Sequence, residues 1–313
     1  MTSAPALRIG TRGSPLALAQ AEEARSRLAA AHPELGPDGA VETVVIRTTG
    51  DRELDRPLAE IGGKGLFTKE IDEALLDGRI DVAVNSMKDV PTWLPDGIVL
   101  PCMLEREDPR DGFVSPRASN LAGLAAGAVV GTASLRRRAQ VLHRRPDLSV
   151  VLFRGNVNTR MRKLGEGQAD ATLLAVAGLR RLGMDDALTS IMEPGEMLPA
   201  VGQGAIGIAC RAGDGRALAL LEPLNHLATL HRVTAERALL EVLDGSCRTP
   251  IAALASLAED GTLALTGLVA RPDGSEVLTA ERRGPVADAR AIGIDAGEEL
   301  RRRAGPGFMD ALE

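Results

Sequence analysis

The stretch Arg79-Ile80-Asp81-Val82-Ala83-Val84-Asn85-Ser86-Met87-Lys88-Asp89-Val90-Pro91 decides the fold. Ile80 to Val84 alternates and is rich in β-branched residues, so it reads as a strand. Pro91 has no amide hydrogen and ends regular pairing. Lys88 and Asp89 are thereby presented side by side on a loop just past the C-terminal end of a strand. In open α/β sheets that edge is where ligands bind. A Lys-Asp doublet alone is an ordinary solvated pair on a turn. The other strand ends of the chain decide between the two readings.

Working outward, Leu7 to Gly10 reads as a first short strand, followed by Thr11-Arg12-Gly13-Ser14-Pro15 and a helical stretch to about Ala31. Ser14 is a good N-cap and Pro15 a good first helical residue. A helix start next to Arg12 is either a plain cap or an anion site, because free amides and the helix dipole both point there. Val41 to Thr48 is a second strand. Ile61-Gly62-Gly63-Lys64-Gly65-Leu66-Phe67 leads into a helix from Thr68 to Leu76. It lacks phosphate-loop spacing and reads as a flexible Gly/Lys loop, a candidate mobile cover carrying Lys64 and Phe67.

Ile98 to Leu104 reads as a strand, and the charged Glu105-Arg106-Glu107-Asp108-Pro109-Arg110-Asp111 as a crossover between domains. Phe113 to Ser115 and Val129 to Gly131 are further strands. Thr132-Ala133-Ser134-Leu135-Arg136-Arg137-Arg138 then opens a helix to about His143. Consecutive arginines usually mark a solvated face, yet a helix N-terminus disfavours cations, so they imply a compensating anion. Val150 to Phe153 is a strand ending at Arg154, with Arg160 just beyond, and Ala171 to Val176 is a strand ending near Arg181. Four such junctions, at Arg12, Arg136, Arg154 and Arg181, suggest a cleft built for a polyanionic ligand.

Leu198 to Ala205 reads as a loop and Ile206 to Ala209 as a strand that returns the chain to its first domain. Leu227 to Leu243 is a strong helix with Glu236 and Glu241 on its polar side, C-capped by Gly245. Cys247 follows on a turn, where nearby Arg favours thiol reactivity. The strand Ile251 to Leu257, a hairpin of Leu263–Ala270 and Val277–Arg283 turning at Pro272-Asp273-Gly274, and a helix near Ala287 to Arg303 complete a small domain. The expected fold class is α/β: two hinged lobes like those of periplasmic binding proteins, plus a small α+β C-terminal domain. The expected boundaries are residues 1–104 with 199–222, residues 105–198, and residues 223–313.

The 313 residues carry a net charge of −6, which argues against nucleic-acid binding. No apolar run reaches membrane-spanning length, and Met1 to Pro5 does not begin a secretory signal, so the cytoplasm is the expected compartment. Of 37 basic residues, Lys64, Lys69, Lys88 and Lys163 are the lysines, leaving 33 arginines. Cys102, Cys210 and Cys247 are far apart and the His residues scattered, so neither a disulfide framework nor a metal site is expected.

In order and spacing, a set of motifs over essentially the whole chain resembles the hydroxymethylbilane synthase, or porphobilinogen deaminase, family. They are Arg8–Ala17, Gly62–Phe67, Ser86–Pro91, Glu105–Asp111, Gly131-Thr132 with Ser134–Arg137, Arg154–Val157, Ala200–Gly204 and Gly245-Ser246-Cys247. The resemblance implies an enzyme that condenses four porphobilinogens head to tail on a covalent dipyrromethane primer and releases hydroxymethylbilane and ammonia. It implies a thioether from Cys247 to that cofactor and Asp89 as the catalytic carboxylate. It assigns cofactor side chains to Lys88, Ser134, Arg136 and Arg137, and substrate and growing chain to Arg12, Ser14, Arg154, Arg160 and Arg181. Six pyrrole rings, each with an acetate and a propionate, carry about twelve carboxylates, which suits arginines at helix starts.

One departure stands out: Asn85 occupies the place where many relatives carry His. Cys102 and Cys210 match no family role. One site on one chain suffices, so a monomer without nucleic-acid or membrane partners is expected. The rival readings are a two-lobed small-anion binding protein without catalysis, and a phosphate-ester or nucleotide enzyme, which the missing nucleotide motifs disfavour.

Overall fold

The computed structural model describes residues 6–52, 65–243, 249–306 and 308. In chain order the strands are β1 (Leu7–Arg12), β2 (Val41–Ile46), β3 (Val82–Ser86), β4 (Ile98–Met103), β5 (Asp111–Val114), β6 (Val129–Gly131), β7 (Ser149–Val151), β8 (Ala171–Ala175), β9 (Ser190–Met192), β10 (Ile206–Arg211), β11 (Ile251–Leu257), β12 (Thr262–Ala270) and β13 (Val277–Pro285). The helices are α1 (Pro15–Ala31), α2 (Thr49–Arg52), α3 (Lys69–Leu76), α4 (Leu135–Arg144), α5 (Val157–Gly165), α6 (Val176–Arg181), α7 (Gly215–Leu221), α8 (Leu227–Val242) and α9 (Ala289–Ala304). These residues form two compact units, one of 6–52, 65–107 and 205–230 and the other of the remainder.

The first unit is a five-stranded sheet ordered β2-β1-β3-β10-β4. β1 runs parallel to both β2 and β3, while β10 is antiparallel to β3 and β4. One face packs Leu7, Ile9, Val82 and Val84 against Ala21, Ala24 and Leu28 of α1. The other packs Ile46, Ile80 and Ala83 against Ile71, Ala74 and Leu75 of α3. The period of two in the strands meets the period of 3.6 in the helices. At one edge of the ladder Asp81 accepts hydrogen bonds from the Arg8 amide (2.8 Å) and its guanidinium (2.9 Å). At the other edge the parallel strands β1 and β3 deliver Arg12 and the Ser86–Asp89 turn together. That turn, Met87–Asp89, is a single 3₁₀ turn.

The second unit holds two sheets. One is ordered β7-β6-β8-β5-β9, with β6 parallel to β7 and β8, and β5 antiparallel to β8 and β9. It repeats the strand order and directions of the first sheet. The other is the antiparallel β11-β12-β13, covered by α8 and α9 through Leu239, Leu265, Val269, Ala296 and Leu300. The fold is thus two α/β sheets and a small α+β C-terminal part.

Several expectations shift. β5 begins at Asp111 rather than Phe113, because the backbone pairs Asp111 with both Ala175 and Met192. β7 ends at Val151, short of the expected Phe153, whose ring is instead buried. β9 and α7 carry too little pattern to be read from sequence. Glu236 is not on a polar face: it is wholly buried, and its carboxylate accepts from the amides of Gly202 (2.8 Å) and Ala255 (2.9 Å). A buried carboxylate is tolerated when amides satisfy both oxygens. Glu241 is half-exposed beside Arg290. The Gly245 cap falls outside the described residues.

The β12–β13 hairpin tip docks on α4 at Gly274. Gly274 has φ +74°, and a Cβ there would come within 2.5 Å of the His143 amide nitrogen and 2.7 Å of the Ala139 oxygen. The His143 Nδ1 donates to the Gly274 oxygen at 3.0 Å, and Ala139 packs with Leu268 and Ala270 nearby. Gly274→Ala is therefore expected to lower stability by about 2 kcal/mol or more, combining left-handed strain with a backbone clash. Gly39→Ala, with φ +81° and open space around it, should lose only the strain component of about 1 kcal/mol. Denaturant titration of the two variants measures the difference, and equal losses would refute the docking contact.

Candidate functional site

The C-terminal edge of the first sheet forms a cleft lined by Arg12, Ser14, Gln20, Phe67, Asn85, Ser86, Lys88 and Asp89, among others. Arg12 is the last residue of β1, and Ser14 caps α1 by accepting from the Ala17 amide at 3.2 Å. The Arg12 Nη1 lies 3.5 Å from Asp89 Oδ2, and its guanidinium stacks 4.2 Å above the Phe67 ring. Cation–π contacts of this length stabilise a fixed guanidinium orientation. Both members of the ion pair keep about a fifth to a quarter of their side-chain surface in solvent (19% and 26%). Such a pair contributes only ~0–1 kcal/mol, so a ligand carboxylate can compete for the arginine.

Gln20 is 4% exposed, and its amide donates to Ser86 Oγ at 2.8 Å while the hydroxyl reaches back at 3.0 Å. This contact joins α1 to the end of β3, and so couples the Arg12–Ser14 loop to the Lys88-Asp89 turn. Sequence reading missed Gln20, whose one signal is a polar residue on the apolar face of a helix.

In the second unit the arginines divide. Ser134 caps α4, accepting from the Arg137 amide at 3.4 Å. Arg136 and Arg137 are buried, at 4% and 5% exposure, around a fully buried Asp111. Asp111 accepts from Arg136 Nη1 (2.7 Å), Arg137 Nη2 (2.6 Å) and Gln203 Nε2 (3.1 Å). Burial alone would raise its pKa, but Arg136 and Arg137 hold the carboxyl well below the usual range. The anion that an arginine-rich helix start demands is thus supplied first from within the chain. Two cations against one carboxylate still leave the cluster positive, and Arg136 Nε is buried without a hydrogen-bond partner among the described residues.

Arg154 is 8% exposed, and its Nη1 has no partner among the described residues. Arg160 Nε donates to the Gly155 oxygen at 2.9 Å, and Arg181 Nη1 to the Gly204 oxygen at 3.2 Å, which orients both side chains. Buried guanidinium N–H groups without acceptors fit an acidic ligand, since each is costly until a carboxylate fills it. That donor set suits a group bearing acetates and propionates. Lys64 and Cys247 lie outside the described residues.

Cys102 and Cys210 are fully buried in adjacent strands. Burial pushes the Cys102 thiol up to about 12 and raises that of Cys210, so neither is a nucleophile. Among the described residues no group of His, Cys, Asp and Glu could hold a metal ion. A wider groove of about 570 Å³ near Glu298, Arg301 and Arg302 is lined by solvated charges and carries no chemistry.

A family model described as "Porphobilinogen deaminase, dipyromethane cofactor binding domain" matches residues 7–219, and one described as "Porphobilinogen deaminase, C-terminal domain" matches residues 230–302. A chloroplastic porphobilinogen deaminase of Oryza sativa subsp. japonica is 61% identical over 98% of this chain and 86% of its own length. The porphobilinogen deaminase of Paracoccus denitrificans is 60% identical over 97% of this chain and 96% of its own. Among solved structures, an ABC transporter periplasmic substrate-binding protein from Coxiella burnetii overlaps 74% of this chain and 96% of its own, at 16% identity and a TM-score of 0.42.

The Asp111 cluster makes a sharp prediction. Asp111→Asn leaves two buried guanidiniums without their counter-charge and should cost about 3–5 kcal/mol. Because the folded carboxyl titrates below its unfolded value, its contribution is present above the unfolded pKa and fades as pH falls further. The wild-type advantage should therefore be flat above about pH 5 and shrink below about pH 4. Denaturant melts of both proteins across that range test it; a constant gap down to strong acid would contradict the ionic cause.

Proposed function

The chain belongs to the porphobilinogen deaminase family, and from that premise we propose how its own residues divide the work. The family enzyme is a transferase of tetrapyrrole biosynthesis. It joins four porphobilinogen molecules head to tail on a covalent dipyrromethane and releases hydroxymethylbilane and ammonia. Bound through a thioether, the dipyrromethane supplies the pyrrole on which the chain is built.

In this reading Cys247 forms the thioether. Lys88, Ser134, Arg136 and Arg137 hold carboxylates of the cofactor, and Arg12, Ser14, Arg154, Arg160 and Arg181 hold those of substrate and growing chain. Buried donors such as Arg154 Nη1 and Arg136 Nε support these roles. Asp89 acts at the reacting pyrrole. Positive charge develops there as ammonia leaves, and a fixed carboxylate beside the ring N–H stabilises that charge and assists proton transfer. The observation that carries the assignment is Asp89 itself, half-buried at the parallel-strand edge and 3.5 Å from Arg12. The guanidinium aims the carboxylate, while the long, part-exposed contact leaves it able to meet a ligand.

The three-domain division at residues 1–104 with 199–222, 105–198 and 223–313 is part of the proposal, supported by three separate sheets. A monomer in the cytoplasm completes it. Among the described residues no helix is long and apolar enough to cross a membrane. Phe67 stacks on Arg12, which supports its place at the site.

Asp89→Asn keeps the shape of the side chain but not its charge. Turnover should fall roughly 10²–10³-fold, with folding and cofactor retained. Steady-state assays with the intact mass of the denatured variant check both halves; near-normal turnover would sink the assignment. Cys247→Ser should show no dipyrromethane mass increment after denaturation, whereas the unaltered protein shows one. An increment surviving in the variant would move the attachment elsewhere.

A further inference from the structure

Asn85 is a polar cleft residue that the reading above leaves without a task. It is the penultimate residue of β3, and its backbone pairs with Gly207 of β10. Its neighbours Val84 and Ser86 face α1, through the core and through Gln20 respectively. Strand alternation therefore turns Asn85 to the opposite face, at the ligand edge of the sheet. The residue is 8% exposed and lines the cleft with Arg12, Phe67, Lys88 and Asp89.

The polar side chains around it are engaged. Gln20 is held by Ser86, and Asp89 by Arg12. The Asn85 amide makes no hydrogen bond to any described residue. The amide is not fully enclosed: it opens on the cleft, where a ligand group can replace solvent as its partner, and the preceding Val82, Ala83 and Val84 show what this strand otherwise selects. We propose that Asn85 is a further ligand-contacting residue, its amide hydrogen-bonding the polar edge of the pyrrole unit on which Asp89 acts. The inference rests on the placement of that unit at Asp89. A neutral amide contributes binding rather than transition-state charge, so its loss raises KM and spares kcat.

Asn85→Leu replaces the amide with an apolar group of similar size, and Asn85→Ala covers the case in which Leu does not fit. The expected result is a thermal midpoint at or above that of the unaltered enzyme, with KM for porphobilinogen raised roughly 3- to 10-fold and kcat within about twofold, the factor carried by one hydrogen bond. A lowered midpoint with unchanged KM in both variants would make the amide a structural group and overturn the proposal, as would unchanged KM at unchanged stability. Asp89→Asn is assayed alongside. If it keeps its turnover, the site reading itself has failed; if it loses turnover while both Asn85 variants keep the original KM, only the role of Asn85 falls.

Discussion

Parallel pairing of β1 with β3 is the constraint on which the site depends. In a parallel ladder every strand ends at the same edge, and each following helix starts there. Arg12 and Asp89 are 77 positions apart in sequence, yet this register brings their side chains within 3.5 Å. The second sheet obeys the same rule, with β6 parallel to β8 and Ser134 and Asn156 capping the helices that start at that edge. One backbone arrangement, used twice, places capped helix N-termini beside arginines at one edge of each sheet. In the proposed function, dipole ends and guanidinium forks at such an edge both favour acidic ligands.

The arginines do two different jobs, and burial separates them. Arg8 is tied to Asp81, and Arg136 and Arg137 share Asp111. These pairs build the scaffold that holds the strand ends in place. Arg154 is buried with a donor that has no partner among the described residues. In a low-dielectric site an unspent donor is held ready for a ligand, because water cannot satisfy it. The cluster at Asp111 does both: it orders two guanidiniums and still leaves a net positive charge. Preorganisation of this kind places the ordering cost in folding rather than in binding.

The elements and the ligand edge were legible in the chain itself. The alternation of Ile80 to Val84 and the Ser-Pro helix start at Ser14 predicted β3 and α1 at or near their observed bounds. Helix caps and strand periods are local, so a few neighbouring residues suffice to recognise them. Glu236 was misread because its neighbours on α8 give no hint that two distant amides, of Gly202 and Ala255, close over its carboxylate. The same limit hid Asp111, whose partners lie 25 and 26 residues away.

By itself the sequence determined the α/β class, the strand ends that carry Arg, Lys and Asp, and, through its motifs, the family and the pyrrole chemistry. Those features are written in short spacings and in residue types whose hydrogen-bonding capacity is intrinsic. Only the tertiary structure decided which arginines are already neutralised, which keep a donor without a partner among the described residues, and which amide opens on the cleft. Those outcomes depend on contacts between segments far apart in the chain and on the exclusion of water around them, and neither quantity exists until the sheets have closed.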